Sequence, residues 1–337
     1  MKRKYLSAVC SIVLLAGCQQ ADEIEKFNGK LPMSVEASIV KTMGSRYVVK
    51  DEDPNQLEFA NGNAIGLAVE GGGFVKWTLN NTTWTPTGGT AYWKDKTNPY
   101  KFNAFYPFAS VSEAGDITMP NLSGQDGTMA TIAAKDFLAI TKSESYATNN
   151  GVLSFTGDYS FKHVSSLVKI TLKGEGDLLN TTINSITLKG DDIISSSTYK
   201  FSETGNPIGM VEVATGETGD EIGVSPENCT ITTAGKVFYF IVNAGTITLD
   251  NVSLTIKYTS GGNNYTAILP QLGTSTQEFE SGVFYTYGLK VADGVLTISG
   301  NTISGWGTGQ NMGDIVINGV QDSNSNNQGG NDEEGDE

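Results

Sequence analysis

Val283-Phe-Tyr-Thr-Tyr-Gly-Leu-Lys-Val291, followed by Asp293-Gly294 and Val295-Leu-Thr-Ile298, decides the class of fold. Both runs are rich in β-branched and aromatic residues, which suit a pleated, half-buried surface. The Asp-Gly pair between them favours the positive backbone angles of a two-residue hairpin turn. The stretch therefore reads as two antiparallel strands.

Reading outward, the same grammar repeats. Upstream, Thr246 to Tyr258 alternates through Ile247 and Leu249, then Val252, Leu254, Ile256 and Tyr258, and the change of phase at Asp250-Asn251 predicts a bulge. Ser260-Gly-Gly-Asn263 turns that strand into Tyr265-Thr-Ala-Ile-Leu269. Lys236-Val-Phe-Tyr-Phe-Ile-Val242 is a continuous apolar run, as expected of a central strand covered on both faces. Ile183 to Leu188, Thr198 to Phe201 and Val152 to Phe155 are further short strands. Phe161 to Leu172 reads as one strand, with Val168, Ile170 and Leu172 facing away from Lys169, Thr171 and Lys173. Lys135 to Ile140 suits a strand or one helical turn, and Ala109 to Thr131 is loop-like. Earlier still come Tyr100 to Pro107, Phe74 to Trp77, Ala64 to Val69 and a first strand over Leu31 to Val40. Short strands with no helical period between them predict an all-β chain of antiparallel sandwiches, not a parallel α/β sheet. No exact internal repeat is visible.

A chain of 337 residues has room for two domains. Gly174-Glu-Gly-Asp177 is the expected boundary, giving an N-terminal β-sandwich over 31–176 and a C-terminal one over 177–320. Gln321 to Glu337 holds no apolar residue and reads as a disordered acidic tail.

At the other end, Lys2-Arg3-Lys4, the apolar Leu6 to Leu15 and Leu15-Ala-Gly-Cys18 have the form of a lipoprotein signal peptide, residues 1–17. Acyl chains on Cys18 would then anchor the protein, each buried CH2 contributing about 0.8 kcal/mol. Residues 18–30 form an acidic tether. Cys10 leaves with the signal and Cys18 carries lipid, so Cys229 stands alone and reads as a small apolar residue at a strand start. Loss of residues 1–17 removes three cations, so the mature chain is more acidic than the −15 of the precursor. No basic cluster remains for nucleic acid.

Chemistry is sparsely supplied. His163 is the single histidine, which rules out a multi-histidine metal site, and no Gly-x-Ser-x-Gly elbow occurs. His163 is expected in the core or at a strand edge, bonded to a backbone carbonyl. Asp51-Glu-Asp-Pro-Asn55 has the spacing of a calcium loop, but Gln56 stands where its glycine belongs and Gly62 where its bidentate glutamate belongs. No catalytic residue, cofactor site or metal site is expected, and the protein is not expected to be an enzyme. Trp77, Trp84 and Trp93 recur among Thr and Asn, and as exposed rings they would form a sugar-stacking platform. A surface-exposed glycan-binding lipoprotein is therefore the alternative reading.

Several fragments in order resemble one family: the lipobox, a first strand ahead of Arg46, Leu57 to Leu67, Phe102-Asn-Ala-Phe-Tyr-Pro107 and Asp136-Phe-Leu138. Phe161-Lys-His163, Leu269-Pro-Gln271, Phe279 to Tyr287 and Ile303-Ser-Gly-Trp306 continue the series. Together they resemble the fimbrillin family, subunits of type V pili and related surface proteins of Bacteroides-type bacteria. Asn63 and Ser45-Arg-Tyr47 depart from its usual acidic residue and Thr-Arg-Ala.

The resemblance implies two tandem transthyretin-like sandwiches and a structural fimbrial subunit or adhesin of the outer-membrane surface. It also implies export of the lipidated precursor, for which the acids of Gln19 to Glu25 resemble the signal. Trimming after Arg46, the only arginine beyond Arg3, would follow. Assembly would then proceed by strand addition, with Gly313 to Val320 as donor or, alternatively, as the last strand of the second sandwich. The implied partners are other fimbrillin subunits, the outer membrane through lipid on Cys18, and host or bacterial surface glycans or proteins.

Overall fold

The computed structural model describes residues 31–39, 58–202, 210–213, 221–226, 229–245, 247–273, 278–292, 295–305 and 311–313. The expectations for residues 1–30 with Cys18, for Arg46, for the Asp51 to Asn55 stretch and for 314–337 fall outside them.

The N-terminal half contains β1 (Leu31–Pro32), β2 (Ser34–Ala37), β3 (Ala64–Val69), β4 (Val75–Asn80), β5 (Thr83–Pro86) and β6 (Tyr92–Trp93). It continues with β7 (Tyr100–Tyr106), β8 (Ile117–Thr118), helix α1 (Met129–Lys135), β9 (Leu138–Glu144), β10 (Val152–Phe155) and β11 (Lys162–His163). Six of these strands form one antiparallel sheet in the order β11-β9-β7-β3-β4-β5. The pairs β1–β6 and β2–β10 cover it, so that Leu31, Val35, Trp93, Leu153 and Phe155 share a core with Ile65, Leu67, Trp77, Phe102 and Ile140.

The C-terminal half contains β12 (Ser166–Leu172), β13 (Thr182–Lys189), β14 (Ser197–Lys200), β15 (Met210–Val213), β16 (Glu221–Val224) and β17 (Cys229–Thr230). After them come β18 (Lys236–Val242), β19 (Ser253–Ser260), β20 (Asn263–Leu269), β21 (Val283–Ala292), β22 (Val295–Gly305) and β23 (Asn311–Gly313). The sheet β18-β12-β21-β22-β23 faces β16-β13-β19-β20, with β17 also paired to β13. Ile170, Phe240, Tyr287 and Leu289 of one sheet meet Ile186, Leu188, Leu254 and Ile256 of the other.

The all-β sandwich class expected from the alternation is what forms. Both strong hairpins are present: Ala292 pairs with Val295, and Ser260 with Asn263 across Gly261 and Gly262, whose φ values of +57° and +88° suit glycine. Among the described strands, β2–β10 and β12–β21 are parallel pairs and the other ladders antiparallel.

Several details differ from the sequence expectations. The segment over 161–172 is two strands in different sheets. Lys162 pairs with Ala139 in the first half, whereas Ser166 to Leu172 pair with β18 and β21 in the second. Val164 N–H still donates to Phe137 (3.0 Å), while the Ser165 carbonyl accepts from Gly282 (3.0 Å), so strand pairing changes halves ahead of the boundary expected at Gly174. The 109–140 region holds β8 and α1, with α1 capped by Thr128, whose hydroxyl accepts from Thr131 N–H at 3.4 Å. In place of a bulge at Asp250-Asn251, a 3-10 turn over Leu249–Asn251 precedes β19. Residues 31–39 form β1, β2 and a bridge from Ile39 to Phe161. Finally, β18 is an edge strand, not a central one. It is nonetheless buried because the segment before α1 covers its free edge.

A third core joins the halves. Phe74, Phe105, Phe137, Tyr199 and Phe201 form a closed circuit of ring contacts with centroids 5.0–5.9 Å apart. Ile117, Met119 and Val164 complete it. β8 of the first half pairs with β14 of the second. A packed apolar junction of this kind opposes the hinge motion otherwise expected between domains.

Candidate functional site

The candidate site is the seam that seats residues 31–39. Leu31, Val35 and Ile39 recur at every fourth position, so in extended chain all three point the same way. Each is at most 6% exposed. Met33 and Ala37, between them, are half-buried against the same core.

Backbone bonds hold the segment against β6 at its start and against β10 beyond. Ser34 to Ala37 run parallel to Val152 to Phe155. Ser38 N–H donates to Phe155 (3.0 Å), Phe161 N–H to Ser38 (2.8 Å), and Met33 N–H to Ala91 (2.9 Å). The hydroxyls of Ser38 and Ser160 lie 2.8 Å apart and fasten the far end. Along its other side β2 has no ladder among the described strands. There an opening of about 330 Å3 separates it from the β5 edge, lined by Val35, Glu36, Ser38, Phe59, Leu79 and Trp84.

Removal of 31–39 would lengthen that opening into a groove. It would uncover Leu153, Phe155 and Phe161, all fully buried in the intact chain, and leave β10 without its parallel partner. An apolar trough flanked by unpaired backbone has the two features that strand addition requires.

The tryptophans expected to form a platform do not. Trp77, Trp84 and Trp93 are 1%, 5% and 3% exposed and sit in the core of the first sandwich, with Trp93 Nε1–H donating to the Gly151 carbonyl (2.9 Å). The sugar-stacking reading therefore loses the rings that carried it. Burial of those apolar rings inside the sandwich is worth more than their exposure, and the indole N–H finds a backbone acceptor there.

His163 is buried as expected, and its Nδ1–H donates to the Asp136 carboxylate (2.9 Å). Both residues are 2% exposed, so the pair ties the start of β9 to β11 and reaches no substrate. The Asp136 charge, after burial itself, raises the pKa of Tyr106. Cys229 starts β17, and burial pushes its thiol pKa up. Glu36 and Glu58 border the opening, but both are exposed and so lack the burial that keeps a glycosidase acid protonated. Among the described residues no group of three or more His, Cys, Asp or Glu is placed to hold a metal ion.

The opening, the unpaired side of β2 and the Asp136–His163 pair all depend on strand neighbours distant in sequence. The pairing signal was present only indirectly, since Asp136 and His163 each belong to a fragment of the resemblance described above.

Comparison with known proteins gives a consistent picture. No curated protein matches the sequence significantly. Among solved structures, a candidate cell adhesion protein from Bacteroides uniformis superposes with a TM-score of 0.55 at 16% identity, covering 82% of this chain and 99% of its own. One from Bacteroides ovatus gives 0.52 at 16% identity, covering 82% and 98%. At these identities the likeness shows the fold. The model of the fimbrillin-like family matches residues 53–306, which is most of the chain and runs from β3 through β22. The chain belongs to the fimbrillin-like family.

Proposed function

We propose that this protein is a structural subunit of a surface fimbria, or a fimbrillin-like adhesin, assembled from a lipoprotein precursor by donor-strand exchange and serving cell adhesion. Membership of the fimbrillin-like family supports a fimbrial or adhesive, non-enzymatic role at the cell surface. The observation that carries the finer reading is the first-strand seam: a segment whose β2 stretch is ladder-bonded along β10 and lies next to an opening, with its apolar side chains in the core.

In this reading lipid on Cys18 holds the precursor at the outer membrane. Cleavage after Arg46 then frees the body from both anchor and first strand. A strand from another subunit restores the ladder on β10 and the buried apolar area together. Gly313 to Val320 is the proposed donor; β23, the last described segment, ends at Gly313 paired with β22.

The test is incubation of the lipid-free precursor with an arginine-specific protease. Cleavage at Arg46 followed by a ladder of oligomers is expected. Resistance at Arg46, or cleavage with no oligomers, would sink the polymerising version.

A further inference from the structure

We propose that residues Asn121 to Thr128 form a plug that occupies the free edge of β18 and keeps it from accepting a strand of a second copy of this chain. β18 is the outermost strand of its sheet, and from Val237 to Val242 it carries no charge. Natural edge strands usually discourage pairing with lysines, prolines or bulges. Here the deterrent comes from a distant segment.

The Gln125 side chain reproduces what a neighbouring strand would offer. Its Nε2–H donates to the Ile241 carbonyl (2.8 Å) and its Oε1 accepts from Ile241 N–H (2.8 Å). The same Nε2 donates to the Leu122 carbonyl (2.9 Å). Two residues along, the Gly127 carbonyl accepts from Tyr239 N–H (3.0 Å). Both Tyr239 and Ile241, alternate residues of the edge, thus find their partners in the plug.

The plug is built into place. Gln125 is 3% exposed and bridges in parallel to Val224 of β16, so the segment closes the side of the sandwich between two sheet edges. Gly127 has φ +80°, and a Cβ there would stand 2.9 Å from Val224 Cγ1 and 3.1 Å from Phe238 Cδ1. Leu122 is buried in the C-terminal core and its N–H donates to Ser195 (2.7 Å). Lys135 Nζ, at the end of α1, donates to the carbonyls of Asn121 (2.6 Å) and Ser123 (2.9 Å).

With the plug withdrawn, β18 would present unpaired backbone beside Phe238 and Phe240. A second copy is the fitting occupant. Two uncharged strands can pair edge to edge without the like-charge repulsion that a net charge of −15 imposes elsewhere. The device lies in the other sandwich from the first-strand seam and does not depend on cleavage at Arg46.

The experiment compares the lipid-free chain with Gln125→Leu. The variant should exchange the Tyr239 and Ile241 amides at least about tenfold faster. It should also form concentration-dependent oligomers, which a synthetic peptide of residues 121–128 suppresses. A variant that stays monomeric with both amides unchanged overturns the proposal, as do oligomers indifferent to the peptide. Should the variant fail to fold, exchange in the parent chain decides. The proposal requires Tyr239 and Ile241 to open in a local event before β12 does, and opening only with global unfolding refutes it.

Discussion

Cleavage after Arg46 would leave residues 31–39 attached by noncovalent contacts alone, and the strength of that attachment follows from the seam. Burying Leu31, Val35 and Ile39 contributes roughly 5–9 kcal/mol, at about 1.5–3 for each side chain. The backbone bonds to β10, Ala91 and Phe161, at about 0.5–1.5 kcal/mol each, add roughly 3–7 more. Against this stands the order imposed on the segment, at about 1–2 kcal/mol per residue, or roughly 9–18 in all. The two sides cancel to within a few kcal/mol, so the strand is held chiefly because it is tethered. The cut fragment should therefore leave the body on dilution to micromolar concentration, as native mass spectrometry or gel filtration would show. A fragment still bound at nanomolar concentration would refute the reasoning, and with it the idea that cleavage alone prepares the groove.

Other perturbations test the interior. The Tyr285 hydroxyl donates to the Glu278 carbonyl (2.6 Å), and burial pushes its pKa up to about 12 from an ordinary 10.0. A group whose folded pKa is raised contributes stability below its unfolded value, so stability should fall by about 2–3 kcal/mol as pH climbs from 10 to 12. Tyr285→Phe should flatten that decline in urea titrations at several pH values. Tyr287 is fully buried with a hydroxyl that has no hydrogen-bond partner among the described residues, so Tyr287→Phe should leave stability unchanged or raise it by about 1 kcal/mol, read by thermal unfolding. Asp136→Leu removes the carboxylate that accepts from His163 Nδ1–H and should cost about 1–3 kcal/mol. The double variant Asp136→Leu/His163→Leu should recover most of that loss, and failure to recover would mean the pair is not the unit. Because burial holds the Cys229 thiol protonated, it should resist a thiol reagent at neutral pH until the chain unfolds in denaturant.

What was legible in the sequence was local. Asp293-Gly294 and Ser260-Gly-Gly-Asn263 specify hairpins within a few residues, and Ala64 to Val69 and Val152 to Phe155 form strands over the ranges that their residues suggest. What was not legible depends on neighbours far along the chain. Phe161 to Leu172 alternates much like one strand, yet nothing in the pattern says that Lys162 and Ser166 belong to different sheets. The apolar run of β18 reports cover on both faces, which a covered edge satisfies as well as a centre. Helix α1 has seven residues with Ile132 deeply buried, too short for a helical period to stand out. Tryptophans among threonines fit a sugar platform and a sandwich core equally until their burial is known. The seam itself was half legible: the first strand could be read, but its open side could not.

The three cores explain why such a seam is tolerable. Residues 31–39 contribute to the first-sandwich core alone, sharing it with Trp93, Leu153 and Phe161. The aromatic circuit around Phe137 and Tyr199 and the large C-terminal core contain none of them. The circuit is further fixed by strands from both halves, and the Asn121 to Thr128 segment ties the first half to the second at β18. Loss of the first strand would therefore empty one compartment while the junction and the second sandwich keep their contacts. A body that stays rigid through that loss can present an open groove to an incoming strand instead of unfolding around it. Under the proposed exchange, the separation of the cores is what would keep the groove open, and the apolar spacing of Leu31, Val35 and Ile39 sets what a replacement strand would have to supply.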